Sequence, residues 1–239
     1  MVAFRPGREM KNLGASDFAP AMVLQTKKIK SYELLKAVRH VLREITVGSY
    51  QERQGIAPNR SGLNRVLRGK SSSEQVLAEH SQLAESVRYR KDAVAALEVV
   101  ISTPLGFQRS NEYFEDSISF FERFWGCPTL LAVTHNDQSH PHLHLLVAPF
   151  KDGRLCGSAT IGYKAARESL RRNFHSQVAS RYGFLLHAYL TTEARRSVAK
   201  SVKTQIMTDP GPLMSGHLGS EFTEVLFAGA HKLVRFFPR

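Results

Sequence analysis

Four of the ten histidines lie within ten residues of one another, at positions 135, 140, 142 and 144. His142 and His144 are two residues apart in an apolar run that predicts a strand, so their side chains should share one face. His135 ends the preceding predicted strand, and a hairpin would bring it beside them. Three converging neutral imidazoles predict a divalent-metal site with positions left open for a substrate. The alternative, that strand histidines are merely exposed to solvent, fits a lone histidine better than this trio.

The residues alone leave zinc, manganese, magnesium and other ions open, although imidazole suits transition metals better than magnesium. The 239 residues include 33 Lys+Arg against 21 Asp+Glu, which gives a net charge of +12. Such a charge indicates a polyanionic partner, either nucleic acid or an anionic membrane surface. An open metal site in a basic protein favours phosphate chemistry, in which the ion polarises phosphoryl oxygens.

Composition excludes several classes of protein. A chain that is 42% hydrophobic and 23% charged is typical of a globular domain rather than a disordered one. It contains no run of about eighteen apolar residues that could cross a bilayer. The N-terminal residues lack the apolar stretch of a signal peptide, and two cysteines, Cys127 and Cys156, are too few for a disulfide framework. We therefore expect a cytoplasmic protein without a transmembrane segment.

Hydrophobic periodicity predicts an α+β sandwich in which strands and helices alternate. Residues 1–21 are expected to be a loose extension, 22–195 the main domain and 196–239 a C-terminal extension. Helices are predicted from Ser31 to just before Gly48 and over 74–91, 111–125 and 163–182, with a polar loop over 48–75. Strands are predicted over 22–28, 93–103, 129–135 and 142–149. On the last helix, the side predicted to be exposed carries Arg167, Arg171, Arg172 and Arg181.

Four segments in one order carry a family resemblance. The run from His135 through Pro141-His-Leu-His144 to Pro149 resembles the metal motif of plasmid mobilisation relaxases, most closely the MOBV (Pre/Mob) group of the HUH endonucleases. The segments 90–94 (Arg-Lys-Asp-Ala-Val) and 59–64 (Asn-Arg-Ser-Gly-Leu-Asn) resemble two further motifs of that group. The stretch from Met22 to His40 and Arg43 is similar to its N-terminal strand and His-x-x-Arg motif. Together they cover residues 22–190.

The resemblance implies a fold, an activity and a set of catalytic residues. The fold is a central antiparallel sheet flanked by helices, a permuted ferredoxin-like sandwich, with the metal on the sheet surface. The activity is nicking of one DNA strand at an origin of transfer by transesterification, which joins the protein to the 5′ phosphate. The nucleophile falls on His40, with Tyr32 and Tyr50 as the alternatives, and Arg43 assists it. The ligands of the ion, Mn²⁺ or Mg²⁺, fall on His135, His142 and His144, supported by Asp137 and Gln138.

The implied partner is plasmid origin-of-transfer DNA, single-stranded at the nick site, with transfer-machinery proteins as possible further partners. DNA contacts are expected from six residues besides Arg43: Arg39, Arg60, Asn64, Arg90, Lys91 and Arg171. Phosphate contacts of this kind would supply most of the affinity and a strong dependence on salt.

Three other functions remain open from the sequence. A catalytically impaired relative that still binds DNA would fit Gln138 and Val41, where the family has glutamate and asparagine. A rolling-circle replication initiator would use a tyrosine downstream of the metal motif, such as Tyr163 or Tyr182. A histidine-triad nucleotide hydrolase would use the middle histidine without a metal, although the basic charge and His135 argue against it.

Overall fold

The computed structural model describes residues 22–186, except residues 86, 88 and 91. Two compact units are distinguished, Met1–Leu186 and His187–Arg239, and the described residues all lie in the first. The predicted boundaries of the two extensions therefore stay predictions. In the described part of the chain, no helix is long and apolar enough to cross a membrane.

A five-stranded sheet in the order β1-β3-β5-β4-β2, with every neighbouring pair antiparallel, forms the centre of the fold. Its strands are β1 (Val23–Lys30), β2 (Arg65–Gly69), β3 (Val94–Ser102), β4 (Thr129–His135) and β5 (His142–Val147). A small hairpin follows, made of β6 (Phe150–Lys151) and β7 (Arg154–Leu155). The predicted antiparallel sheet is confirmed. β3, β4 and β5 are apolar nearly throughout because both of their faces are covered.

The helices are α1 (Leu34–Val41), α2 (Gly48–Gln54), α3 (Ser73–Ala84), α4 (Ser110–Trp125), α5 (Gly157–Ile161) and α6 (Lys164–Gln177). Short 3-10 helices lie at Ser31–Glu33, Pro58–Leu63 and Ala179–Tyr182. One sheet face packs aromatic side chains of α4 and α6, including Phe114, Phe121 and Phe174, against Leu143 and Leu145. The other face packs α1 and α3 against Leu131, Val133 and Leu146.

The structure corrects two predicted elements near the N-terminus. The helix that begins after Ser31 ends at Val41 rather than just before Gly48, because Arg43 adopts a left-handed conformation with φ 61° that stops it. The segment 48–75, predicted as a loop, contains α2 and β2. β2 is an edge strand with mostly exposed side chains, so it lacks the apolar alternation that would reveal it. At its end, only glycine fits position 69, where a Cβ would collide with the Leu130 carbonyl.

The sheet face on which α1 and α3 pack also carries the three histidines at positions 135, 142 and 144, and all three are buried. His135 pairs directly with His142 across β4 and β5, and His144 lies two residues further along β5. The β4–β5 connection, residues 136–141, crosses this end of the sheet. The C-terminal end of α1 approaches the same place, since the Val41 carbonyl contacts His135.

Candidate metal centre and active site

Three buried histidines converge on the sheet surface. His135, His142 and His144 each offer a ring nitrogen, and these nitrogens all lie within 4.8 Å of one another. The structure therefore brings together the three residues that the sequence predicts as metal ligands. Their clustering follows from antiparallel register, because directly paired residues and residues two apart on one strand project from the same face.

The second nitrogen of each imidazole meets an oxygen of the protein. His135 Nε2 lies 2.7 Å from the Val41 carbonyl oxygen, and His142 Nδ1 lies 2.8 Å from the carbonyl oxygen of His140. His144 Nδ1 lies 2.8 Å from Glu98 Oε1. Because these oxygens accept hydrogen bonds, we assign the proton of each neutral ring to that nitrogen. The opposite nitrogens are then unprotonated lone pairs directed into the cluster.

The lone pairs of these nitrogens would repel one another, whereas a cation placed between them would be bound. His135 Nδ1 and His142 Nε2 lie 3.3 Å apart, and with the protons placed as above there is no hydrogen between them. Burial, and after it the neighbouring His144, lowers the pKa of His135 to about 2. Burial also lowers the pKa of His142 and of His144, so all three rings are neutral at neutral pH. Neutral imidazoles with converging lone pairs are the donor set of a divalent transition-metal ion.

Glu98 is a site residue that the sequence-based reasoning missed. It lies in the middle of the apolar strand β3, is half-buried, and accepts a hydrogen bond from His144. Burial raises the pKa of this carboxyl group, while the charges of Lys27 and His40 lower it. A carboxylate behind a ligating histidine fixes its orientation and increases its basicity. The available signal was a single acidic residue within a strand that is otherwise almost entirely apolar.

His40 lies against the histidine cluster at the end of α1. Its ring centroid is 5.5 Å from that of His144 and 6.3 Å from that of His135, both with near-perpendicular planes. The hydroxyl group of Tyr50, on α2, lies 2.9 Å from His40 Nδ1. Burial lowers the pKa of His40, and the charge of Arg43 lowers it further, so the ring is neutral at neutral pH. Burial contributes more to this lowering of the pKa than Arg43 does.

Arg43 is engaged within the protein. Its Nε and Nη2 donate to the two carboxylate oxygens of Asp137 at 2.8 and 2.7 Å, and Nη2 also donates to Gln138 Oε1 at 2.9 Å. Its Nη1 lies 3.3 Å from the carbonyl oxygen of His40. The Arg43 side chain is 9% exposed and that of Asp137 is 0% exposed. Arg43 therefore fixes the end of α1 to the β4–β5 connection, and these bonds offset its left-handed backbone conformation.

Asp137 also receives hydrogen bonds from the segment before β2. Ser61 Oγ donates to it at 2.9 Å and Asn64 Nδ2 at 2.8 Å, while the Asn64 oxygen accepts from the backbone of Asn136. Asn64, predicted to contact DNA, instead uses both ends of its amide to hold this connection. Asp137 and Gln138 act on Arg43 rather than directly on the three histidines, which differs from their expected support of the ligands.

The other predicted DNA contacts are scattered. Arg60 is exposed and donates to the Asn136 carbonyl at 2.7 Å, next to the site, while Arg39 is exposed on α1, 3.9 Å from Glu44. Arg90 lines an open cavity of about 410 Å³ with Tyr89 and Arg154, beside the end of β3 that is remote from the histidines. Lys91 lies outside the described residues.

The predicted exposure of Arg171 is wrong, because this residue is only 6% exposed. It lies three residues before Phe174 on α6 and seven before Val178, so it belongs to the stripe that faces the core. The side of this helix that was predicted to be exposed was therefore drawn too wide.

The alternative tyrosines differ in their surroundings. Tyr50 contacts His40 as described, whereas Tyr32 is 65% exposed in the 3-10 turn before α1. Tyr163 is 89% exposed. Tyr182 donates its hydroxyl proton to Asp116 at 2.7 Å, and burial followed by this hydrogen bond raises its pKa to about 12. A phenol held in this way is a poor nucleophile at neutral pH.

The antiparallel sheet with its histidine cluster has the form of an HUH relaxase domain, and comparison with known proteins agrees. The family model described as "Plasmid recombination enzyme" (Mob_Pre) matches residues 19–186. A solved structure of the MobM relaxase domain (MOBV; Mob_Pre), Mn-bound and in complex with plasmid pMV158 oriT DNA, superimposes with a TM-score of 0.59 at 26% identity. That match covers 74% of this chain and 98% of the MobM chain.

Curated relatives agree with the structural match. A plasmid recombination enzyme of Streptococcus agalactiae is 29% identical over 198 residues, which are 76% of this chain and 38% of the relative. A plasmid recombination enzyme type 3 of Staphylococcus aureus is 30% identical over 105 residues, 40% of this chain and 25% of the relative. The chain thus spans less than two-fifths of the length of these relatives. It belongs to the plasmid recombination enzyme (Mob_Pre) family, which confirms the MOBV resemblance and argues against the histidine-triad hydrolase.

Replacing Glu98 should weaken metal binding. Glu98→Gln keeps the shape of the side chain but removes the charge behind His144, and loss of such a partner lowers metal affinity about 10- to 100-fold. Isothermal titration calorimetry with MnCl₂ measures the effect. Glu112→Gln is the matched control, since Glu112 is an exposed partner of Arg109. Equal affinities in the two variants would contradict the role of Glu98.

Replacing Asp137 should lower stability in a pH-dependent way. Burial alone would raise the pKa of Asp137, but hydrogen bonds from Arg43 and Asn64 outweigh it and hold the pKa below its usual value. The stabilisation is therefore complete above the unfolded pKa of about 3.9 and is lost as the pH falls through the folded pKa. Asp137→Asn should cost about 3–5 kcal/mol at pH 7, because it leaves Arg43 buried without its counter-charge.

Urea unfolding at pH 7 and at pH 3 measures the difference in the free energy of unfolding between the unsubstituted protein and Asp137→Asn. This difference should be smaller at pH 3. Asp152→Asn is the control, since Asp152 is exposed in a left-handed turn with φ 51° that asparagine also tolerates. An Asp137→Asn protein as stable as the unsubstituted one at pH 7 would refute the argument.

Proposed function

We propose that this protein is a metal-dependent relaxase that nicks one DNA strand at a plasmid origin of transfer and becomes joined to the 5′ phosphate. The observation that carries this proposal is the position of His40, whose ring lies beside the three-histidine cluster with Nδ1 hydrogen-bonded to Tyr50. Family membership and the Mn-bound, DNA-bound MobM relatives support it. The net charge of +12 supports a DNA partner.

In this proposal His135, His142 and His144 hold the ion, with Mn²⁺ favoured over Mg²⁺ because all three ligands are imidazoles. When bound, the ion supplies charge that polarises the oxygens of the scissile phosphate. Glu98 orients His144, and the backbone carbonyls of Val41 and His140 orient the other two rings. The ligand roles thus rest on side chains that the protein already holds in place.

His40 is the proposed nucleophile. Burial raises the pKa of Tyr50, so its hydroxyl group stays protonated. We assign the tautomer of His40 in which Nδ1–H donates a hydrogen bond to the Tyr50 oxygen. The lone pair of Nε2 then attacks phosphorus, the P–N bond forms, and the bond from phosphorus to the 3′ oxygen breaks. The departing oxygen takes a proton from solvent and becomes a 3′ hydroxyl group. Tyr50 holds the ring in the reactive orientation, and Arg43 fixes the backbone of His40.

Arg60 is the predicted DNA contact that the geometry supports best. It is exposed, and it donates a hydrogen bond to the carbonyl oxygen of Asn136, which precedes Asp137 in the β4–β5 connection. Arg39 is exposed on the helix that carries His40. Both are proposed to bind phosphates near the nick site. We also propose a cytoplasmic location, in keeping with the two free cysteines, Cys127 and Cys156.

Two substitutions should separate the nucleophile from its supporting tyrosine. The unsubstituted protein, incubated with Mn²⁺ and a pool of single-stranded oligonucleotides that tile plasmid transfer origins, should form a covalent adduct visible on a denaturing gel. His40→Ala should form none. Tyr50→Phe should still form it, about fivefold more slowly, because a lost positioning hydrogen bond costs about 1 kcal/mol. Tyr32→Phe, at an exposed position, is the control and should not change the rate.

An adduct that survives in His40→Ala and disappears in Tyr50→Phe would assign the nucleophile to Tyr50. An adduct that still forms in both variants would favour a distant tyrosine such as Tyr163 as the nucleophile, and with it the replication-initiator alternative. Binding of Mn²⁺ and DNA by the unsubstituted protein without any adduct would favour the catalytically impaired relative.

A further inference from the structure

The sheet face that carries the histidines continues past them to the edge strand β1. Glu98 on β3 shares this face, because it bonds to His144. Its direct partner on β1 is Lys27, and Val100 pairs with both His144 on one side and Gln25 on the other. Residues directly opposite one another in antiparallel strands project to the same side of the sheet. Lys27 and Gln25 therefore lie on the histidine face.

This continuation is accessible to solvent. Lys27 and Gln25 are exposed, and Val23, Val100 and Ser102 are half-buried. At the other end of β1, Ile29 is fully buried in the cluster that α1 and α3 form with the sheet. The helices thus cover one end of β1, and the accessible part begins at Lys27. We call this accessible part the β1 strip, made of Val23, Gln25, Lys27, Val100 and Ser102.

The composition of the β1 strip suits a single strand of nucleic acid. Val23 and Val100 offer apolar surface to a base or sugar, Gln25 and Ser102 offer hydrogen-bonding groups, and Lys27 offers a positive charge to a phosphate. Neighbouring strands lie about 4.8 Å apart, so β1 is about 10 Å from β5. That is within reach of nucleotides that adjoin a phosphate held at the histidine cluster.

Lys27 differs from the two other lysines at the end of β1. Lys28 Nζ donates to Ser158 Oγ at 3.4 Å, and Lys30 Nζ donates to the Asp92 carbonyl at 2.6 Å. Lys28 follows Lys27 directly, so its side chain projects from the opposite face of the sheet. The chain therefore offers two adjacent lysines of equal charge, and only Lys27 faces the histidine cluster.

We propose that the β1 strip binds the nucleotides next to the scissile phosphate, with Lys27 contacting a backbone phosphate and Gln25 a base edge or sugar. This inference rests on the proposed function, since it extends the DNA path away from the same site. The occupant is single-stranded DNA rather than a protein segment, because the strip is continuous with the site proposed to hold the phosphate and carries the charge opposite to DNA.

The test compares Lys27→Gln with Lys28→Gln, which remove the same charge from opposite faces of one strand. Fluorescence anisotropy measures binding of a fluorescein-labelled twelve-nucleotide oligo-dT in MnCl₂ over a series of NaCl concentrations. Each phosphate contact to a single strand contributes about −0.7 to the slope of log affinity against log salt. Lys27→Gln should therefore reduce the slope by about 0.7 and the affinity about fivefold near 0.1 M salt. Lys28→Gln should leave the slope unchanged.

Equal slopes and affinities for the two variants would overturn the β1 strip while leaving the proposed function intact, because covalent adduct formation by the unsubstituted protein tests that function separately. A larger effect of Lys28→Gln would move the DNA path to the opposite face and would also overturn it. Gln25→Ala provides a second measurement in the covalent assay. It should change the order of preference among the tiled oligonucleotides if Gln25 contacts a base edge, and an unchanged order would exclude that base contact.

Discussion

The buried ion pair between Arg43 and Asp137 is the contact on which the geometry of the site depends. It joins the end of α1, which carries His40, to the β4–β5 connection, whose flanking strands carry the three histidines proposed to bind the metal ion. Hydrogen bonds from Ser61 and Asn64 add the segment before β2 to the same carboxylate. A buried ion pair is costly unless its remaining hydrogen-bonding positions are satisfied, and here the protein satisfies them with specific partners. His40, the proposed nucleophile, is thereby held against the cluster although it lies about a hundred residues away in sequence.

The sheet positions the residues of the proposed metal site, and helices outside the sheet supply His40 and Tyr50. The antiparallel register sets the three histidines and Glu98 on one face. Each ligand's second nitrogen then has an oxygen partner, which leaves the lone pairs directed at one another. Holding such lone pairs together without a cation is unfavourable. The folded sheet is therefore preorganised for a metal ion. His40 comes from α1, which packs on that face, and Tyr50 comes from α2 and contacts His40.

The sequence predicts what depends on local pattern and misses what depends on distant contacts. The β4–β5 hairpin and its histidines were predictable because apolar residues and histidines alternate along β5. The ion pair of Arg43 with Asp137 was not predictable, because the two residues are ninety-four positions apart in sequence. An arginine in a His-x-x-Arg motif is equally consistent with a phosphate contact. Glu98 was missed since one acidic residue in a strand identifies no partner. Tyr50 was named as an alternative nucleophile, but its hydrogen bond to His40 required the position of α2.

The central claim is that His40 attacks the DNA while Tyr50 only positions it, and the chemical nature of the covalent bond tests this directly. The adduct formed with an oligonucleotide can be digested with nuclease and trypsin at alkaline pH and the modified peptide identified by mass spectrometry. If His40 is the nucleophile, the nucleotide will be found on the peptide of residues 40–43 and will be released by brief acid treatment, because a phosphorus–nitrogen bond to imidazole is acid-labile. A nucleotide on the peptide that contains Tyr50, stable in acid as a phosphate ester of tyrosine is, would contradict it.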